Sequence, residues 1–161
     1  MVRKATTEDL PRLREVYAAA RSYMRANGNT VQWGGEDRPE SKLAQDIRVG
    51  QLYVLDDGGI YAVFAFIVGE DATYAVIEDG AWRRDTPYGT LHRLASDGTH
   101  KGVMAEVFAW MRTQIGHLRV DTHESNHTMR QAVARCGFSY CGIIYEPDGT
   151  PRLAYDWFIE E

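Results

Sequence analysis

The sequence has few cysteines, no long hydrophobic stretch and no excess of basic residues. Its two cysteines, Cys136 and Cys141, are too few and too closely spaced for a disulfide framework, and they lack the spacing of a four-ligand zinc site. We therefore expect reduced thiols. Apolar runs such as residues 61–68 are far shorter than the roughly 20 residues that a spanning helix needs, so no membrane partner is predicted.

The charge balance is acidic, with 18 Lys and Arg against 23 Asp and Glu and a formal net charge of -5. Such a surface is repelled by phosphates, which argues against nucleic acid as a partner. Residues 1–9 pass from basic residues to acids without an apolar stretch, so they do not read as a secretory signal, and we expect a cytoplasmic protein. His117, His123 and His127 lack the spacing of a ligand pair, and we predict no metal.

The 161 residues suit one compact domain, and the composition of 44% hydrophobic and 25% charged residues is that of a globular protein. We expect a single domain over residues 1–161. Hydrophobic spacing predicts the order β, α, α, β, β, β, α, β, α, β, β, and hence an α+β fold with a mixed sheet. The predicted strands cover residues 2–5, 51–55, 60–68, 88–96, 118–122, 138–145 and 152–159.

Four helices are predicted between these strands. The first has Thr7 as its cap and an apolar stripe through Leu13 and Tyr17, and the second covers residues 41–49. The third opens at Val103 and ends near residue 116, and the fourth is capped by Asn126 and ends before residue 137. Residues 69–87 show no clear period and are predicted to be an irregular excursion, where functional residues often lie.

The strand, turn and helix over residues 88–106 form the most informative segment. A helix N-terminus presents unpaired N–H groups and a positive dipole end, so such a joint suits a phosphate. The run LHRLASD at residues 91–97, the loop KGVMAE at 101–106, Asn126 and the RCGF exit at 135–138 together resemble the GCN5-related N-acetyltransferase (GNAT) superfamily over essentially the whole chain.

The resemblance implies a mixed, mostly antiparallel sheet of about seven strands with four helices, splayed between the fourth and fifth strands. It also implies that acetyl-CoA is the cofactor, with the pantetheine arm in the wedge between those strands. A backbone N–H near Leu94 then faces the thioester carbonyl. The implied cofactor-binding residues are Leu94, Ala95, Ser96, Lys101, Gly102, Val103, Met104, Ala105, Glu106 and Asn126.

The loop departs from the family pattern at three positions. Lys101 replaces Arg or Gln, Met104 stands where the first motif glycine belongs, and Glu106 replaces a second small residue. A long Met side chain would crowd phosphates and a carboxylate would repel them. An alternative hypothesis is therefore a catalytically silent acyl-CoA sensor or protein-interaction module on the same fold.

His92 is the first candidate for the base that removes the ammonium proton, because histidine titrates near neutral pH. Two-residue alternation places it on one strand face with Tyr88 and Leu94. Val133 occupies the position of the family's usual tyrosine acid, which leaves Tyr140 and Tyr145 as candidate proton donors.

The acceptor is predicted to be a primary amine of a small molecule. Aromatic side chains could line an apolar slot whose neighbouring acids attract a cation. The sequence leaves open whether the protein forms a homodimer. The candidate acceptor-binding residues are Trp33, Tyr74, Trp82 and Tyr88.

Overall fold

The computed structural model describes residues 1–28 and 39–160. The helices are α1 (Leu10–Ala26), α2 (Leu43–Arg48), α3 (Val103–Met111) and α4 (His127–Arg135). The strands are β1 (Val2–Lys4), β2 (Leu52–Asp56), β3 (Ile60–Val68), β4 (Gly89–Ser96), β5 (His117–Thr122), β6 (Ser139–Tyr145) and β7 (Pro151–Phe158). The predicted order of strands and helices is confirmed.

The strands form a seven-stranded mixed sheet with the order β1-β2-β3-β4-β5-β7-β6. The β1–β2, β2–β3, β5–β7 and β6–β7 pairs are antiparallel. The β4–β5 pair is parallel, with Gly89 opposite Leu118 and Leu91 opposite Val120. A parallel pair requires a crossover connection, which α3 supplies. The predicted α+β class, with a mixed sheet and four helices, is confirmed.

Two compact units make up the chain. One comprises the described part of Met1–Phe66 together with His92–Val103, and the other comprises Ile67–Leu91 and residues 104–160. A single domain over residues 1–161 remains our expectation. Within the described residues, no helix is long and apolar enough to cross a membrane.

The core of the first unit forms on the apolar stripe of α1. Leu13, Val16 and Tyr17 are fully buried because they recur at spacings of three and four and so share one helix face. They pack with Leu43 of α2 and with residues of β2 and β3. Thr6, rather than the predicted Thr7, precedes the first helical turn, since Thr6 N–H donates to the Asp9 carboxylate at 2.8 Å.

In the second unit, both predicted ends of α4 are confirmed. Asn126 Oδ1 accepts the N–H of Met129 at 3.2 Å, which satisfies one of the donors left over in the first turn. Gly137 has a φ of +91°, and the N–H of Phe138 donates to Val133 O at 3.1 Å. This pair of features is a Schellman motif, which needs a residue that tolerates a left-handed conformation.

The predicted end of α3 near residue 116 is wrong. The helix ends at Met111, after which the N–H groups of Thr113 and Gln114 donate to carbonyls three residues back. The chain therefore tightens into turns before β5. A sequence pattern predicts the end of a helix less precisely than it predicts that the helix is present.

The excursion over residues 69–87 contains a short 3-10 helix, Ala72–Tyr74, and a segment that pairs with β6. Glu78 and Ile143 exchange backbone hydrogen bonds of 2.9 and 2.8 Å. The approach is so close that a Cβ on Gly80 would lie 1.9 Å from Cys141 O, and one on Gly142 would lie 2.5 Å from Glu78 O. Two glycines therefore allow the excursion to join the sheet edge.

Candidate functional site

Strand β4 contains a left-handed residue, Arg93, with a φ of +55°. This conformation costs a residue with a side chain about 1–2 kcal/mol. It also interrupts the two-residue alternation of the strand. The expected regular alternation of Tyr88, His92 and Leu94 on one face is therefore wrong for Leu94, which follows the irregular residue. Both His92 and Leu94 are half-buried.

Two contacts stabilise the conformation of Arg93. The hydroxyl of Tyr17 donates to Arg93 O at 2.8 Å, and Arg93 Nη2 donates to Asp46 Oδ2 at 2.7 Å. Tyr17 is fully buried on α1, and Asp46 on α2 is only 3% exposed. The first two helices thus hold the backbone of β4 in an unusual conformation next to the predicted base.

The turn after β4 is ordered by Asp97. Its carboxylate accepts hydrogen bonds from the N–H and hydroxyl of Thr99 at 2.9 and 2.6 Å, and from Arg12 at 2.5 Å. Burial raises the pKa of Asp97, but the bonds from Thr99 and the charge of Arg12 outweigh that effect and lower it below 3.8. Gly102 then adopts a φ of +71° immediately before α3. The turn therefore has a defined shape in the protein alone.

Two of the three residues that depart from the family loop, Met104 and Glu106, lie in the first turn of α3, and Lys101 precedes it. Met104 is only 7% exposed, so its side chain packs into the protein. Lys101 and Ala105 are exposed, while Glu106 is half-buried. Consecutive residues of β4, the turn and α3 thus bring the predicted cofactor residues into one strand–turn–helix segment over residues 94–106. Asn126 lies apart in sequence, at the start of α4.

A cavity of about 420 Å³ lies in the second unit. Three of the predicted acceptor residues, Tyr74, Trp82 and Tyr88, line it together, whereas Trp33 lies outside the described residues. The aromatic rings are adjacent, with centroids 5.0 Å apart for Tyr74 and Trp82. The remaining lining residues are Glu70, Asp71, Ala72, Ala75, Arg84, Asp85 and Arg119.

Arg119 is a cavity residue that sequence reasoning missed. It is only 5% exposed, and its guanidinium carbon lies 4.1 Å from the ring centroid of Trp82 and 4.0 Å from that of Tyr88. Its Nη2 donates to Arg84 O at 3.0 Å. A cation of the protein itself therefore lies against two of the rings that were predicted to line the acceptor slot.

Comparison with solved structures decides the family. The chain is similar over its whole length to a GNAT-family acetyltransferase from Streptococcus agalactiae, with 30% identity, a TM-score of 0.88 and 96% of that chain covered. The chain belongs to the GNAT family of acetyltransferases.

More distant structures share the GNAT fold. A putative acetyltransferase from Staphylococcus aureus has 19% identity and a TM-score of 0.71, with 99% of each chain covered. A putative acetyltransferase from Salmonella typhimurium, solved with its cofactor acetyl-CoA, has 12% identity and a TM-score of 0.63, with 100% of this chain and 94% of that chain covered. No protein-family model matches the sequence, and a search of curated proteins finds no match.

Asp121 of this GNAT chain was also missed by sequence reasoning. The hydroxyl of Tyr74 donates to Asp121 Oδ2 at 2.6 Å, and Arg152 Nη1 lies 3.7 Å from the other carboxylate oxygen. Burial, followed by the charge of Asp121, raises the pKa of Tyr74 well above 10. Tyr74 therefore stays neutral and its ring is fixed in the cavity wall. The available sequence signal was an acidic residue within a predicted strand.

The candidate proton donors lie on β6, the last strand of the GNAT sheet order, with β7 between it and β5. Tyr140 is 52% exposed, and its ring packs against Tyr155. Tyr145 donates to Glu78 Oε2 at 2.9 Å, and this bond with the charge of Glu78 raises the pKa of Tyr145. The proton-donor roles of Tyr140 and Tyr145 remain predictions. Val133, which the resemblance places at the position of the usual acid, is fully buried.

His117 is buried beside the excursion, and we expect it to make stability dependent on pH. Its Nδ1 lies 3.1 Å from Thr86 O, and burial, followed by the charge of Arg119, lowers its pKa below 6.5. The unfolded chain therefore binds a proton more readily, so the free energy of unfolding falls as pH drops below about 6.5. We expect His117→Gln to lose less stability between pH 7.5 and 5 than the wild type in urea denaturation.

The exposed His127 supplies the control for that measurement. The variant His127→Gln should keep the acid sensitivity of the wild type. An equal loss of stability in the wild type and in His117→Gln would contradict the assignment.

Among the described residues, no group of three or more His, Cys, Asp or Glu side chains could hold a metal ion.

Proposed function

We propose that this protein transfers the acetyl group of acetyl-CoA to a primary amine of a small molecule, by direct attack in a ternary complex. The observation that carries the proposal is the strand–turn–helix segment over residues 94–106, with its hydrogen-bonded turn and the buried side chain of Met104. In a GNAT chain, this segment is the expected cofactor site. Holding both reactants in one geometry would supply most of the rate.

The backbone of the segment would hold the cofactor. The first N–H groups of α3 have no partner within the helix, so they would donate hydrogen bonds to the pyrophosphate oxygens, and the positive end of the helix dipole would attract the same charge. Met104 is only 7% exposed, and the proposal requires that its side chain leave these N–H groups accessible. Backbone groups of Leu94 and Ser96 would bind the pantetheine amides. When bound, acetyl-CoA supplies the acetyl group as a reactive thioester.

The chain's own residues would perform the proton transfers. His92 would take the proton from the ammonium group of the acceptor, which makes the amine nucleophilic. The N–H of Leu94 would stabilise the negative charge that develops on the carbonyl oxygen during attack. A hydroxyl of Tyr145 or Tyr140 would protonate the departing thiolate.

The cavity lined by Tyr74, Trp82 and Tyr88 is the proposed acceptor site. Its volume of about 420 Å³ suits a small molecule. The carboxylates of Glu70 and Asp85 at its wall would attract the cationic form of an amine. Since Arg119 already covers one side of two rings, the acceptor would contact the remaining aromatic surface.

The test is release of coenzyme A thiol from acetyl-CoA with a panel of small primary amines, together with calorimetry of acetyl-CoA binding. Amine-dependent thiol release supports the proposal. Binding of acetyl-CoA without turnover across the panel contradicts the proposal and favours the silent sensor. The observation in favour of the sensor is Val133, a buried residue without a titratable group at the position implied for the family's acid. Absence of both binding and turnover contradicts both hypotheses and favours a protein-interaction module.

Trp82→Ala should separate acceptor binding from cofactor binding. We expect the KM for the amine to rise about tenfold, which corresponds to roughly 1.4 kcal/mol, because the cavity loses an aromatic wall. The KM for acetyl-CoA should stay within about twofold. Val76→Ala, at a 67% exposed position of the same excursion, is the control and should leave both constants unchanged. Equal effects on both KM values would contradict an acceptor role for Trp82.

A further inference from the structure

The left-handed conformation of Arg93 is held from two sides by the first two helices. Among the described residues, Asp79 and Arg93 are the non-glycine residues with positive φ, and Arg93 lies within a strand. We propose that Tyr17 and Asp46 are positioning residues for acetyl transfer: by fixing Arg93, they set the direction of the Leu94 N–H. The inference rests on the proposed function, because that function gives the Leu94 N–H its role.

The geometry of the peptide bond connects the two groups. The carbonyl of Arg93 and the N–H of Leu94 belong to one planar trans peptide, so they point in opposite directions. The Tyr17 hydroxyl binds that carbonyl at 2.8 Å. Rotation of the peptide would break this bond, so a hydrogen bond on one side fixes the direction of the N–H on the other.

The hydroxyl of Tyr17 is itself held in place. Its ring is fully buried in the core formed by α1, α2, β2 and β3. Burial raises the pKa of Tyr17 far above its ordinary value, so the hydroxyl keeps its proton and donates at every pH of interest. A rigid helix residue therefore sets the position of the donor.

The side chain of Arg93 provides the second restraint. Its guanidinium pairs with Asp46 Oδ2 at 2.7 Å, while Gln51 Nε2 donates to Asp46 Oδ1 at 2.9 Å. Both carboxylate oxygens of a nearly buried acid are thus used. Arginine has no intrinsic preference for positive φ, so these contacts account for a conformation that the residue type does not favour.

The experiment begins with Tyr17→Phe, which removes one hydroxyl and keeps the ring in the core. We expect kcat for acetyl transfer to fall about 10- to 100-fold, since loss of a donor to a developing oxyanion costs about 10²–10³-fold and misorientation costs less. The KM for acetyl-CoA should stay within about twofold. In the unliganded protein, the amide resonance of Leu94 should shift. Tyr23→Phe, at an exposed position of the same helix, should change neither quantity.

Substitutions of Arg93 separate backbone conformation from packing. Arg93→Ala and Arg93→Asn both remove the ion pair with Asp46, but asparagine tolerates the left-handed region and alanine does not. We expect Arg93→Asn to retain several-fold more kcat than Arg93→Ala. A purely structural role would lower both alike, and that result would overturn the inference even if Tyr17→Phe does not fold.

The two possible failures are distinguishable. A folded Tyr17→Phe variant with unchanged kcat, or with an unchanged Leu94 amide resonance, overturns the inference while the proposed function stands. A wild-type protein that transfers no acetyl group overturns the proposed function and with it the role of Tyr17 and Asp46 in catalysis. In that case, the Leu94 resonance still reports whether the hydroxyl orients the peptide.

Discussion

Replacement of His92 by glutamine is expected to lower kcat for acetyl transfer by about 10²–10⁴-fold, the usual contribution of a general base. Glutamine keeps the size and polarity of the side chain but does not take up a proton. The limb of the pH–rate profile that reports deprotonation of the base should therefore shift or disappear. The measurement is thiol release from acetyl-CoA as a function of pH, for the wild type and the variant.

Binding and stability readouts keep that experiment specific. His92 is half-buried on β4, directly before Arg93, so a substitution could also disturb the strand. Calorimetry should show unchanged affinity for acetyl-CoA, and urea denaturation should show unchanged stability. An unaltered pH profile with full activity would remove His92 from the mechanism and leave the amine to lose its proton to solvent.

Gly142→Ala should lower the free energy of unfolding by about 2–4 kcal/mol. The new methyl group would lie 2.5 Å from Glu78 O and 2.9 Å from Ile77 Cγ1, and the residue has a φ of +151°. Overpacking costs about 1–3 kcal/mol, and the unfavourable φ adds to it. The loss should appear in urea denaturation, and acetyl transfer should fall because the excursion that lines the cavity no longer docks on β6.

Two further alanine variants test the origin of this effect. Gly80→Ala would place a methyl group 1.9 Å from Cys141 O, so it should also be strongly destabilising. Gly59, in the β2–β3 turn, has no positive φ, and a Cβ added there would meet no atom within 4 Å, so Gly59→Ala should leave stability nearly unchanged. If all three variants behave alike, close approach of the excursion to β6 is not the cause.

Most of the fold could be predicted because local pattern and tertiary packing agree. The stripe through Leu13 and Tyr17, the Asn126 cap and the turn at Gly137 each correspond to observed features. The excursion over residues 69–87 could not be predicted in detail. Its order comes from backbone pairing of Glu78 with Ile143, 65 residues later in the sequence, and no local pattern reports such pairing.

The candidate site could be predicted only in part, because tertiary contacts determine several of its features. Tyr74, Trp82 and Tyr88 were chosen as aromatic residues in an irregular region, and they do line one cavity. Arg119 was missed because a charged residue on a strand is usually solvated, whereas here two rings and a carbonyl surround it. The positive φ of Arg93 was missed because tertiary contacts, rather than its residue type, impose it.

The two cysteines affect how acetyl transfer is best measured. Burial, the main cause in each case, raises the pKa of Cys136 and raises that of Cys141 to about 12. Disulfide reagents react with the thiolate, which attacks a sulfur of the reagent, so at pH 7–8 these side chains should consume the reagent slowly. Coenzyme A released by turnover can therefore be followed continuously with such a reagent against a low background, without mutating either residue.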